Sequence, residues 1–499
     1  MPLDAEKKRL EARLLGLLQQ ALNERNRDDI VTTSLDLGAL YLSGDLYDRA
    51  EECFRRVLEE PVKRLAKGDE KALAEAGLAQ VMLVRGHLTL AREALERAER
   101  AVTGADAVLL EIRKLQCQRD LHVGVYRDVV DAIEATLDRE TAETLGDGRI
   151  DFMVLEGRAR QLLGRHRQAQ RLLEKALELA QSTGYEAGAA NARSELGVLL
   201  VILGQFKRAH DHLDETLRSD EGAGSLYRLD RDRRRLGTLF LHMGRWQEAA
   251  KLLRESYESA RDLRSLENRL SSQLGESELL ALRGDLDEAR DRALDAMEVA
   301  RAAGFVRLQV EGLALLALAA VESKHAREAL DFLREAEALY SRLAPESPTM
   351  VQIQALFGRA HDLAGEPAPA LERLMRAHNL ARETGNVYDR HRIDSCLGSH
   401  YASQGAEDKA AGLLSKAAAE LGSLGAKYEV AVARLRFAQL LVGTNRVRGA
   451  AERARETKLA RSNLFEARRL FEAMGAASRL AEVAALESRL HQEPATSAD

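Results

Sequence analysis

Apolar residues recur along this chain at the three-to-four-residue spacing of amphipathic helices, and that helical pattern is itself repeated. Residues 162–180, LLGRHRQAQRLLEKALELA, supply the template: a short apolar end, a glycine, a polar turn, then a second stripe of Leu and Ala. Gly164 returns as Gly204, Gly244 and Gly284, then as Lys324, Gly365 and Gly405, a step of forty residues with forty-one once. Ala169 returns in phase as Ala209, Ala249, Ala289, Ala329, Ala370 and Ala410. A fixed period of about twenty to fifty residues marks a stack of similar units, none of which can bury its apolar face alone. The pattern predicts helix–turn–helix pairs along nearly the whole chain.

The first segment, 1–28, is expected to be an N-terminal capping helix from Leu3 to about Asn23, with Leu10, Leu14, Leu17, Leu18 and Leu22 on one stripe. Residues 29–149 hold three units with turns at Gly44, Gly86 and Gly124. The third is degenerate, because Val129 stands where the others carry Ala. Units four to ten occupy 150–430 at the regular period. The eleventh, 431–474, has a long second helix from about Arg448 to Ala473. A second capping helix follows in 475–492, and 493–499 is expected to fray. Gly184, Gly224, Gly304, Gly385 and Gly425 read as stops after second helices, since glycine takes the left-handed conformation without steric cost. Pro345 and Pro348 are assigned the same role after a helix ending near Leu343.

Within each unit, small and large residues hold fixed places. First helices carry Gly38, Ala79, Gly157, Gly197, Gly237, Ser277, Ala317, Gly358 and Gly398 where a neighbour must pack closely. Second helices place a large residue between two small ones: Phe54, Leu95, Leu173, Leu213, Leu253, Leu333, Leu374 and Leu414. Small residues let helix axes approach to the short end of the roughly 8–10 Å range, and the large residue fills the space toward the next unit. These positions resemble the tetratricopeptide repeat family in its longer variant, with a period near forty. The resemblance implies an all-α fold, a right-handed α-solenoid of about eleven tandem repeats with capping helices at both ends. The proline that often closes the shorter repeat is absent, and Leu takes most aromatic positions.

Composition agrees with helices: aromatic residues are only 4% and there are seven prolines. The formal net charge of -6 gives no whole-molecule attraction to nucleic acid or an anionic membrane. No apolar run reaches the roughly 20 residues that span a bilayer, and the N-terminus lacks the apolar core of a signal peptide. Cys53, Cys117 and Cys396 are too scattered for a disulfide framework or a zinc site, so buried thiols in a reducing cytoplasm are expected.

No phosphate-binding glycine loop is present. His391 and His400, in HRIDSCLGSH, fall on opposite sides of their helix, and His210 and His212 also diverge, so neither pair suits a metal. Carboxylates pair with Arg or Lys in the manner of solvated surfaces. Neither a catalytic dyad nor a cofactor is indicated, and the chain is not expected to be an enzyme. Trp246 is expected to pack at a repeat edge. The run RLDRDRRRLG, 228–237, reads as a solvated face partly neutralised by Asp230 and Asp232, with Arg228, Arg231 and Arg235 on one side and Arg234 adjacent.

In tetratricopeptide arrays the first helices line a concave groove. Carrying those positions over implies that Arg158, Asn191, Arg231, Arg234, His242, Glu278, Gln352, Arg359 and Arg392 face it. The surplus of arginine suits carboxylates on an extended or helical acidic segment. The expected function is a protein-binding scaffold or adaptor, and the alternative is a sensory module that answers a small peptide and controls an effector on another chain.

Overall fold

The computed structural model of the chain describes residues 5–443 and 450–492. Leu3, the expected start of the long helix at Arg448, and the tail 493–499 lie outside the described residues. Among those described there are twenty-five α-helices and no strand. Most stand in antiparallel pairs, and the first helix of each pair forms the inner wall of a coil. Eight inner helices matter below: Gly148–Leu162, Glu186–Ile202, Leu226–His242, Leu266–Arg283, Val306–Glu322, Pro348–Leu363, Val387–Ser403 and Lys427–Gly443.

The small and large positions interlock as their chemistry requires. A Cβ on Gly157 would come within 2.6 Å of Leu173, and one on Gly197 within 2.5 Å of Leu213. The same holds for Gly358 against Leu374 and Gly398 against Leu414. Phe54 reaches both Gly38 in its own unit and Gly77 in the next, and Leu253 likewise meets Gly237 and Gly275. The second-helix alanines Ala169, Ala209, Ala249, Ala329, Ala370 and Ala410 are fully buried.

Turn residues follow the left-handed rule with two local differences. The turn glycines Gly164, Gly204, Gly244, Gly284, Gly365 and Gly405 all have positive φ, and Lys324 takes the same conformation at φ 65°. In the first unit, however, Asp45 rather than Gly44 is left-handed, a conformation that Asp tolerates better than most residues. Pro348 does not end a helix. It opens Pro348–Leu363, where a missing N–H costs nothing, and Ser347 caps the end by accepting from the Met350 amide. The N-terminal helix, Ala5–Glu24, buries Leu14, Leu18 and Ala21, while Leu10, Leu17 and Leu22 stay exposed beside that face.

The coil is tight enough for successive turns to touch. Residues 180 to 218 apart, about five repeats, meet directly: Asp45 accepts from the Ser225 hydroxyl, and His166 Nδ1 lies 2.9 Å from the Thr384 carbonyl. The buried hydroxyls of Tyr126 and Tyr340 are 3.1 Å apart. Trp246 packs against Tyr428 at 5.3 Å between ring centroids, so it sits between coils rather than at a repeat edge. The turn glycines share in this contact. A Cβ on Gly164 would lie 2.1 Å from the Glu346 carbonyl oxygen, and Gly86, Gly204, Gly244 and Gly284 face Leu266, Leu424, Met474 and Ser478 respectively. Gly365 and Gly405 have nothing within 4 Å.

Candidate functional site

With its turns in contact, the coil shapes its concave side into a channel, and the inner helices line a cavity of about 400 Å³ that is partly open to solvent. Its wall mixes apolar residues (Val198, Ile202, Leu239, Leu274, Leu315, Leu318, Leu356 and Val432 among them) with a dense set of charges. The position follows from the pitch. Early units contribute the C-terminal halves of their inner helices, and later units, lying further along the axis, contribute their N-terminal halves.

Seven of the nine groove positions line this cavity: Arg158, Arg234, His242, Glu278, Gln352, Arg359 and Arg392. Asn191 and Arg231 do not. They share a repeat phase with Gln352 and Arg392, but they lie near the N-terminal ends of early inner helices, which the rising coil leaves off to one side. Arg231 Nη1 donates to Asn191 Oδ1 at 2.9 Å and Nε to Asp232 at 3.1 Å, within the wall.

The arginine run is also not a solvated face. Asp230 and Asp232 are wholly buried and Arg235 nearly so. Arg235 bonds Ser194 and Glu195, while Ser194 bonds Asp232. Asp220 accepts from Arg228 at 2.9 Å. Burial pushes its carboxyl up to about 6, and the neighbouring Asp232 adds to the rise.

Most cations of the channel already have carboxylate partners. Glu267 accepts from Arg158 at 2.8 Å and Arg307 at 3.2 Å. Burial alone would raise Glu267, but the surrounding cations hold it well below the ordinary glutamate range. His122 also faces it; burial pushes that imidazole down to about 4, so at neutral pH the guanidiniums supply the attraction. Glu322 binds Arg359 at 2.6 Å and Arg479, from the last helix Ala477–Gln492, at 2.7 Å. Against the opposing effect of burial, these arginines bring Glu322 down to about 2. Arg392 binds Asp389 and Glu429, each at 2.9 Å. His242 is pushed down to about 3 by burial and then by Arg392, so it is a neutral ring, 3.2 Å from the Tyr388 hydroxyl.

Two lining charges stand apart. Arg234 makes no ion pair with any described residue, and its buried Nε has no hydrogen-bond partner. Burial, reinforced by Arg235 and Arg307, lowers it to about 10. Glu278 has no hydrogen bond or ion pair with any described residue, and burial pushes it up to about 7. Sequence reasoning missed Glu195, Arg307, Glu311, Glu322, Asp389, Glu429, Arg436 and Arg479, all of which line the cavity. The repeat phase held the signal for several of them: Glu311 and Arg392 share one phase, Glu195 and Arg436 another.

His391 and His400 bond different carboxylates, Asp394 at 3.3 Å and Asp362 at 2.7 Å. Cys53 and Cys117 are buried, and burial pushes Cys117 up to about 12; Cys396 is only half-buried, at the channel wall. No described helix is long and apolar enough to cross a membrane.

Comparison with known proteins places the architecture. Among solved structures, a Rap protein complexed with competence and sporulation factor is similar, with a TM-score of 0.55 at 12% identity over 71% of this chain and 99% of that one. The apo form of the quorum sensor NprR from B. thuringiensis aligns over the same shares at 15% identity, with a TM-score of 0.44. The search of curated proteins found no match. Residues 153–221 match the family model described as tetratricopeptide repeat. The small and large positions continue that pattern in phase on either side of the match, and the fold they build is a helical solenoid of the tetratricopeptide type.

Proposed function

We propose that the protein is a non-enzymatic interaction module whose ligand is a short peptide, or a short exposed segment of a partner protein, taken into the channel. The observation that carries this reading is the cavity of about 400 Å³, walled by apolar and charged side chains from eight inner helices. That volume lies within the roughly 300–1,000 Å³ range of small-ligand sites. An open groove would suit a scaffold that grips a long helix. Contact between successive coils favours the alternative, a sensor of small peptides that controls an effector on another chain. The carboxylates around Arg158, Arg359 and Arg392 weigh against a uniformly acidic ligand, since those guanidiniums already have partners. The Rap structure, solved with competence and sporulation factor bound, offers an analogy of fold.

The test is to titrate the full chain with a low-molecular-weight peptide fraction of a cell extract, following melting temperature and hydrodynamic radius. A ligand that binds only the folded chain raises the melting temperature with concentration. Cross-linked pull-down that recovers large folded partners, with no response to the peptide fraction, would favour the scaffold and overturn the sensor.

A further inference from the structure

The charges of the cavity divide into those satisfied within the wall and those that are not. Arg158, Arg235, Arg307, Arg359, Arg392 and Arg479 each hold a carboxylate. Arg436 is engaged by the Ser395 hydroxyl at 2.9 Å and approaches the Cys396 sulfur at 3.6 Å. Arg234 and Glu278 remain, one of each sign, and both face the same cavity.

They are not partners of one another. Their inner helices, Leu226–His242 and Leu266–Arg283, are neighbours in the coil. With a forty-residue period, Glu278 falls one helical turn beyond the level of Arg234. The axial offset is about 6 Å and the lateral one roughly 8–10 Å, so their backbones are on the order of 10 Å apart. The charges acting most strongly on Arg234 are Arg235 and Arg307, and on Glu278 they are Arg392 and Glu429. Neither is among the main charges felt by the other, although both feel Glu311, so they border one chamber without meeting. An unpaired charge bordering a small, largely apolar space is poorly solvated, and an opposite charge brought in by a ligand relieves it.

We propose that the ligand of this channel is dipolar, presenting a carboxylate or comparable oxyanion to Arg234 and an ammonium or guanidinium to Glu278. The guanidinium fork suits a carboxylate bidentately. The backbones that carry the two charges are on the order of 10 Å apart, a span that a short peptide of about three to five residues bridges. Apolar side chains between them would meet Leu239, Leu274 and Leu315. This inference rests on the reading of the channel as a peptide site and narrows the peptides it accepts.

Pools of random pentapeptides test it, with Asp, Glu, Lys, Arg and His left out of the random positions. Four pools have both ends free, only the carboxyl end amidated, only the amino end acetylated, or both blocked. A fifth has blocked ends and one Lys and one Glu inside, which separates terminal charges from side-chain charges as the source. Each pool is incubated with the full chain, and retained peptides are read by mass spectrometry after gel filtration. Pools carrying both charges should be retained at least tenfold better than the doubly blocked pool. In Arg234→Gln the advantage of the carboxylate should vanish while that of the amine persists. In Glu278→Gln the reverse should hold, and Glu278→Lys should turn the preference from amine to carboxylate. Because neither residue has a partner to orphan and each is held against the cost of burial, Arg234→Gln and Glu278→Gln should melt at or above the wild-type temperature. Equal retention of all pools would overturn the dipolar ligand and leave the peptide channel standing. Retention of none by a folded chain would overturn both.

Discussion

At the scale of single residues, Asp230 has the least comfortable environment in the wall. It is fully buried and neither carboxylate oxygen accepts a hydrogen bond. Its ion pair with Arg233 is long, at 3.8 Å. Burial pushes its carboxyl up to about 7 against the weaker pull of the nearby Ser259 hydroxyl, which lies outside good hydrogen-bond geometry, and of Arg233. In the unfolded chain an aspartate titrates near 3.9, so between about pH 4 and 7 the folded state binds the extra proton. Stability drawn from the protonated group is therefore complete below about pH 4 and is lost as pH rises through about 7. Asp220 and Glu278 push in the same direction, with carboxyls raised to about 6 and about 7 by burial. Asp230→Asn should leave stability nearly unchanged at pH 4 and raise it by about 1–3 kcal/mol at pH 8, since the amide never ionises. Urea unfolding at the two pH values checks this, and an equal change at both would show that Asp230 does not titrate in this range. Little in the residue pattern warned of such a site. Alternating Arg and Asp on a helix looks the same whether it faces water or another helix, and only the packing against Ser194, Glu195 and Ser256 separates the two cases.

At the scale of helices and pairs, legibility was high because the constraint is local. Where Gly157 meets Leu173 or Gly398 meets Leu414, no Cβ fits, and the same exclusion recurs unit after unit with visible phase. Left-handed turns were equally readable where glycine filled them. Reading failed where another residue took the conformation, as at Asp45, or where proline began a helix rather than ending one, as at Pro348. The interlock makes the second-helix alanine a strict position. Ala249 is fully buried in the sixth unit, three units from the degenerate third and five from the eleventh. Ala249→Leu adds three carbons to a filled space and should destabilise the fold by about 1–3 kcal/mol. A thermal or urea melt in which this variant matched the wild type would mean that the helix register assigned here is wrong.

At the scale of the whole molecule, the decisive contacts join residues 180 or more positions apart, and no periodicity in the sequence reports them. This is why the groove positions were only partly placed. Their phase around each helix is the one expected of an open spiral, but whether a position falls inside the cavity depends on pitch, which lifts Asn191 and Arg231 out of it. Pitch depends in turn on how closely one coil can lie on the next, and the turn glycines give a direct way to test that. Gly164 and Gly365 have nearly the same left-handed φ, 77° and 74°. Alanine at either site meets the same backbone penalty, about 1–2 kcal/mol. Only at Gly164 does the new Cβ also strike the next coil, 2.1 Å from a backbone oxygen of Glu346 that cannot rotate away. Gly164→Ala should therefore lose roughly 1–3 kcal/mol more than Gly365→Ala, in line with the cost of overpacking. It should also lengthen the molecule as measured by small-angle scattering, because the coils must part locally. If coil contact is what closes the channel, the same variant should admit longer peptides than the wild type, while Gly365→Ala should bind as the wild type does. Equal destabilisation and equal dimensions for the two variants would mean that the coils do not bear on one another at Gly164, and that the channel stands open to the side.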